Sequence, residues 1–191
     1  MRGFRKMVPE ASAVLFIVVA AIFIAVGLWK FGKGIDGLFS VSNIQVILWT
    51  GVVLGGYLAI AILKGGFLDE IPTNLLYLMG VSVGSTVTAT GIRAIQQPKL
   101  PNAATLSQIN QNLVTSGLFS SEKEPSKLSV AKMQMMAWTA VSLSIFILIL
   151  FGNILDNNPT LPDVGAGLLT LMGVSHAGYN GNKIADKPKT P

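Results

Sequence analysis

Charged residues avoid long tracts of this chain. Segments 11–29, 37–63, 71–92, 133–155 and 164–182 hold no Asp, Glu, Lys or Arg and consist mainly of apolar and small residues. A bilayer-spanning helix needs about 20 predominantly apolar residues. Each tract therefore predicts a membrane helix. The fold class expected is all-α, an integral membrane helical bundle with five transmembrane helices. A further uncharged tract, 100–121, is rich in Asn, Gln, Ser and Thr and predicts no span.

The apolar pattern is also duplicated. Leu78-Met79-Gly80-Val81-Ser82 returns letter for letter as Leu171-Met172-Gly173-Val174-Ser175. Upstream of each copy, Ser40-Val41, Gln45 and Trp49-Thr50 match Ser129-Val130, Gln134 and Trp138-Thr139 at identical internal spacing. A repeat of this kind is one supersecondary unit used twice. The unit reads as a two-helix hairpin. Two spans and a linker separate the copies, so the hairpins point the same way and form a parallel repeat.

The segments then divide as an N-terminal transmembrane helix (1–36), hairpin repeat 1 (37–94), a polar linker (95–128), hairpin repeat 2 (129–183) and a tail (184–191). The first apolar tract outruns the ~7–15 residues of a signal-peptide core and reads as a retained helix. Ser40 or Ser42 is placed to cap the second helix. Asp69-Glu70-Ile71-Pro72 and the proline-marked 157–163 form acidic hairpin tips, which suit helix starts. Within the linker, Leu106, Ile109, Leu113 and Val114 share one face, with Thr105 as a cap and Gly117 as a stop. That pattern predicts a short amphipathic helix.

Composition sharpens this picture. The chain is 51% hydrophobic and 12% charged, against about 25% charged in soluble domains. It has no cysteine and one histidine, which removes disulfides, thiolate sites and most His-based metal clusters. No metal and no cofactor are expected. The net charge of +5 reads as loop cations at lipid headgroups, not as a nucleic-acid surface. Lys30, Lys33, Arg93, Lys99, Lys123, Lys127 and Lys132 fall on one side with the tail lysines. Acids mark the other side. The positive-inside rule then places the linker and C-terminus in the cytoplasm of a prokaryotic cell membrane, although the basic Arg2, Arg5 and Lys6 argue the opposite way.

Candidate functional residues are all uncharged. Ser82, Ser85, Thr86, Thr88 and Thr90 form a hydroxyl-rich stretch of the third helix and are the expected lining of a hydrophilic path. Ser175, His176 and Asn180 extend that path along the fifth helix. The alternative for the hydroxyls is bonding to carbonyls one turn back in a tightly packed helix. His176 is read either as a pH-sensing or ligand-binding group at the cytoplasmic mouth or as a satisfied interfacial residue. Gly51 and Gly55, Gly80 and Gly84, and Gly173 are close-packing candidates. Gln45 with Trp49, and Gln134 with Trp138, stand at i and i+4 on one face. There the glutamines either line a polar path or bond across helices. No intramembrane carboxylate is present, so a proton relay is not expected.

The pattern Gln134, Trp138-Thr139, Pro162, Leu168-Leu169, Leu171-Met172-Gly173, Ser175, Tyr179 and Lys183 resembles a group of small prokaryotic membrane proteins. The first copy has Thr86 and Thr90 in place of the tyrosine and lysine. The resemblance implies a membrane hairpin module and supplies no activity. Two functions are expected to compete. One is a small oligomeric pore for an ion or solute. The other is a non-catalytic accessory subunit that stabilises a larger membrane complex. An enzyme is not expected. The expected partners are the lipid bilayer and other membrane subunits, whether copies of this chain or different ones, and no nucleic acid.

Overall fold

The computed structural model describes residues 2–33, 39–68, 70–96, 118–119 and 129–185. Among them run five long helices: α1 (Arg2–Phe31), α2 (Val41–Lys64), α3 (Thr73–Gln96), α4 (Val130–Leu155) and α5 (Ala166–Ala185). The amphipathic helix expected around 105–117, Asp69 of the first tip and the tail beyond 185 lie outside the described residues.

Local chemistry sets the helix ends. Ser40 stands at the N-cap of α2 with extended backbone but gives no side-chain cap bond; its N–H instead donates to the Gly32 carbonyl, closing the α1–α2 turn. Ser42 lies inside the helix. Ser129 does cap α4, its Oγ accepting from the Lys132 N–H at 3.4 Å. α2 ends where Gly65 turns left-handed at φ 77°, so that the N–H groups of Gly65 and Gly66 reach the carbonyls of Ile62 and Ala61. At the second tip, Asn153 Nδ2 donates to the Thr160 carbonyl at 2.9 Å and folds the turn back on α4.

Four helices form a ring. α2 packs on α3, α3 on α5, α5 on α4, and α4 back on α2, while α1 leans on α2 and α4 from outside. Asn74 Nδ2 donates to Asp163 Oδ2 at 3.1 Å, so the two hairpin tips lie at the same end. Gly51 and Gly55 set the close approach of α1. A Cβ on Gly55 would stand 3.0 Å from the Phe16 carbonyl oxygen and 3.3 Å from Ala20 Cβ. Phe16 also meets Phe151 of α4 edge-on, with centroids 5.3 Å apart.

Gly80, Gly84 and Gly173 behave differently. A Cβ on any of them would meet nothing within 4 Å, so the close helix contact expected there is not made within this chain. Gly80 and Gly84 lie on the outer face of α3.

Among the described residues, four helices, over Val8–Phe31, Val41–Lys64, Thr73–Ile92 and Val130–Leu155, are long and apolar enough to cross a membrane. α5 falls short of the five expected, because its C-terminal half carries His176, Asn180, Asn182 and Lys183 among glycines. The outer surface of the four is broadly apolar, with Val14, Ile22, Val87 and Leu148 exposed. Such a surface suits lipid and not water.

Candidate functional site

The core of the ring is layered. Toward the tips, Trp49, Leu78, Phe146 and Met172 contribute one buried apolar residue from each ring helix. Toward the linker end, Val41, Ala89, Met135 and Tyr179 do the same. Between these layers the inward positions turn polar on all four helices. They are Gln45 on α2, Ser82 and Ser85 on α3, Thr139 and Ser142 on α4, and Ser175 and His176 on α5, all buried. The spacing is that of one helix face: 78, 82, 85, 89 on α3 and 135, 139, 142, 146 on α4. A polar layer is thus held between two apolar ones.

The pair at its centre joins α2 to α5, which lie diagonally across the ring. Gln45 Nε2 and His176 Nε2 are 2.8 Å apart, with Gln45 0% and His176 3% exposed. Gln45 donates to the imidazole nitrogen, or accepts from it if the amide is turned over. One turn further along α5, Asn180 Nδ2 donates to Ser85 Oγ at 3.3 Å. α3 and α5 run parallel from the tips, so that bond places Ser82, one turn before Ser85, level with His176.

The α4 side of the layer satisfies itself. Thr139 and Ser142 donate to the carbonyls of Met135 and Trp138, at 2.8 and 2.6 Å, and the Ser142 hydroxyl also reaches Met172 Sδ at 3.4 Å. Ser175 bonds back to Leu171 at 2.9 Å. The other side does not. Gln45 Oε1, Ser82 Oγ, His176 Nδ1 and Asn180 Oδ1 are all buried with no hydrogen-bond partner. A stranded buried polar group costs about 1–3 kcal/mol, and native interiors carry few of them. Four of the seven such atoms among the described residues gather in this layer, on three helices; the others are Ser12 Oγ, Ser42 Oγ and Trp49 Nε1.

The expected lining is therefore divided. Ser82 and Ser85 turn into the ring, and Asn180 is half-buried at its edge. Thr86 is half-buried and donates to the carbonyl of Ser82 at 3.1 Å. Thr88 and Thr90 are exposed on the outer surface. Successive residues rotate by about 100° around a helix, so five hydroxyls spread over residues 82–90 cannot all face one way. His176 is not at a mouth but in the middle of the ring. Gln134 is exposed and Trp138 partly buried, although both repeat Gln45 and Trp49. Ser42 and Ser142 are buried polar residues that no motif marks; for Ser142, the alternation of three- and four-residue steps from Met135 to Phe146 is the signal.

No grouping of three or more His, Cys, Asp or Glu able to hold a metal occurs among the described residues. No family model, curated protein or solved structure matches this chain.

Proposed function

We propose that this chain is an integral membrane protein that admits a small polar species to a site on the axis of its own four-helix ring, and so serves permeation across the bilayer. The observation that carries this is the polar layer crossing the bundle, with four unpartnered atoms enclosed between apolar layers. In a structure meant only to be stable, such atoms are a standing cost. In a permeation protein they are the contacts that replace a solute's hydration.

The arrangement favours passage through the chain itself over passage between copies. The exposed Thr88 and Thr90 face outward with too few polar neighbours to line an intermolecular pore. Buried Leu78 and Met172 on one side, and Val41 and Tyr179 on the other, act as apolar closures that part to let the species through. The test is solute flux into liposomes containing the purified protein. His176→Leu and Gln45→Leu abolish flux, whereas Gln134→Leu, changed at an exposed position outside the ring, leaves it intact. Equal loss in all three variants overturns the proposal.

A second reading is favoured by a different observation. Gly80, Gly84 and Gly91 leave open space along the outer face of α3, where small residues let another membrane helix approach closely. On that reading the chain is an accessory subunit of a larger complex. Gly84→Leu would then release a co-purifying partner while the monomer stays folded.

A further inference from the structure

We infer that the site between α2, α3 and α5 takes a small uncharged molecule carrying both a hydrogen-bond donor and an acceptor, of the amide or urea class, in preference to an ion. The inference rests on reading the polar layer as a binding site, and it is argued from the valences that layer leaves open.

The Gln45–His176 contact fixes a complementary pair of open groups. With Gln45 Nε2 donating, His176 Nε2 is the acceptor, and the neutral ring carries its hydrogen on Nδ1. The open groups are then an N–H on His176 and a carbonyl oxygen on Gln45, and these two atoms are unpaired and buried. If the amide is turned over, the open groups become a lone pair on Nδ1 and an N–H on Gln45. Either way at least one donor and one acceptor remain, with the second N–H of the Gln45 amide a further donor, and they belong to the two ends of the same hydrogen bond.

The remaining groups keep that balance. Asn180 offers its carbonyl oxygen while its amide nitrogen is engaged by Ser85. The Ser82 hydroxyl is 2% exposed and unpaired, and it both donates and accepts. Among the described residues, no Asp, Glu, Lys or Arg stands at this level of the ring. The nearest buried cation, Lys132, precedes Met135 on α4 and so lies beyond the apolar layer toward the linker.

A bare cation would need several converging oxygens. The hydroxyls of Thr139, Ser142 and Ser175 donate to their own helices and keep lone pairs, but the Gln45–His176 pair presents an open N–H donor in either orientation of the amide, which a cation cannot use. An anion would need donors alone and would meet the Asn180 carbonyl oxygen, joined by that of Gln45 when Gln45 is the donor to His176. A neutral molecule carrying both N–H and C=O complements the donor and the acceptors left open without burying a charge. The serine, the two amides and the imidazole present what a small amide presents to water.

His176 is the only histidine, so protein labelled with 15N-histidine and purified without a polyhistidine tag gives one pair of imidazole nitrogen signals. These signals are followed in nanodiscs during titration with formamide, urea and acetamide, and in parallel with potassium, sodium, ammonium and chloride salts. A saturable shift of the Nδ1 signal with amides and none with salts is expected. Ser82→Ala weakens that binding roughly fivefold, the worth of one hydrogen bond. Thr88→Ala, on the outer surface of α3, leaves it unchanged.

A saturable response to a salt ion overturns the inference, and so does an imidazole that contacts only water and ignores every solute. Equal binding by wild type and Ser82→Ala overturns the placement of the ligand. Because binding is read at one nitrogen, it separates from flux. Amide binding without amide flux leaves this inference standing and removes the permeation reading. Flux without a shift at His176 does the reverse.

Discussion

The diagonal Gln45–His176 contact makes a prediction in which two harmful substitutions cancel. Gln45→Leu removes the 2.8 Å bond, worth about 1 kcal/mol net, and strips the second imidazole nitrogen at about 1–3 kcal/mol. It also removes Gln45 Oε1, which is already unpaired, and that returns a similar amount. The net loss is about 1–2 kcal/mol. His176→Leu works the same way from the other side, leaving the whole Gln45 amide without a partner, and costs about the same.

The double variant removes both partners of the pair with their two unpaired atoms, and leaves Ser82 Oγ and Asn180 Oδ1 as they were. Two leucines bridge the ring between the Trp49 and Val41 layers, and replacing both partners of a buried bond by apolar groups is near neutral or stabilising. The coupling is therefore about 2 kcal/mol or more, well above the ~0.5 kcal/mol within which independent sites add. Unfolding by SDS in mixed micelles, followed by far-UV circular dichroism, measures it. Strict additivity of the two single losses would refute the reasoning. Gln134→Leu, at the exposed repeat position, should shift stability by less than about 0.5 kcal/mol.

Other substitutions test the frame. Gly55→Leu places side-chain atoms against the Phe16 carbonyl and Ala20. It should cost about 1–3 kcal/mol by overpacking and should loosen α1. Cysteine pairs between α1 and α2 would report that without background, since the chain has no cysteine. Trp49→Ala empties a site that is 1% exposed and should cost about 3–5 kcal/mol in the same SDS titration, whereas Trp29→Ala, at an exposed position, should cost little. Gly65→Ala meets no neighbour but must hold φ 77°, which should lower the thermal midpoint through a loss of roughly 1 kcal/mol.

Hydrophobic pattern carried the helices because burial and lipid exposure both demand uninterrupted apolar sequence. At α5 the pattern is less telling: freedom from charge over 164–182 is not the same as apolar character when His176, Asn180 and several glycines occupy its second half. Motifs proved local. The glycine pairs 51/55 and 80/84 have equal spacing, yet one meets α1 and the other meets nothing within 4 Å. Spacing specifies a small face and is silent about what covers it. The site was harder still, because its central contact joins residues 131 apart in the chain. Both residues were candidates, but only the closing of the ring brings them together.

The duplicated sequence explains why the site has one diagonal and not two. In Leu78-Met79-Gly80-Val81-Ser82 the buried positions are Leu78 and Ser82; in the identical Leu171-Met172-Gly173-Val174-Ser175 they are Met172 and Ser175, with Leu171 exposed. The inward stripe of α5 continues through His176 and Tyr179, whereas that of α3 continues through Ser85 and Ala89. Translated through the echo, the stripe on α5 is displaced by about one residue from Met172 onward. That corresponds to a rotation of about 100° about the helix axis. Ser82 and Ser175 alone stay inward in both, at the edge where the two stripes overlap. The rotation carries His176 onto the axis opposite Gln45 and leaves its mate, Val83, on the outer surface, with Gln134 exposed as well. Identical residues thus have different surroundings because the two helices are rotated differently, and the imidazole–amide contact across the ring follows from that offset together with histidine at 176 where the matching position, 83, is valine.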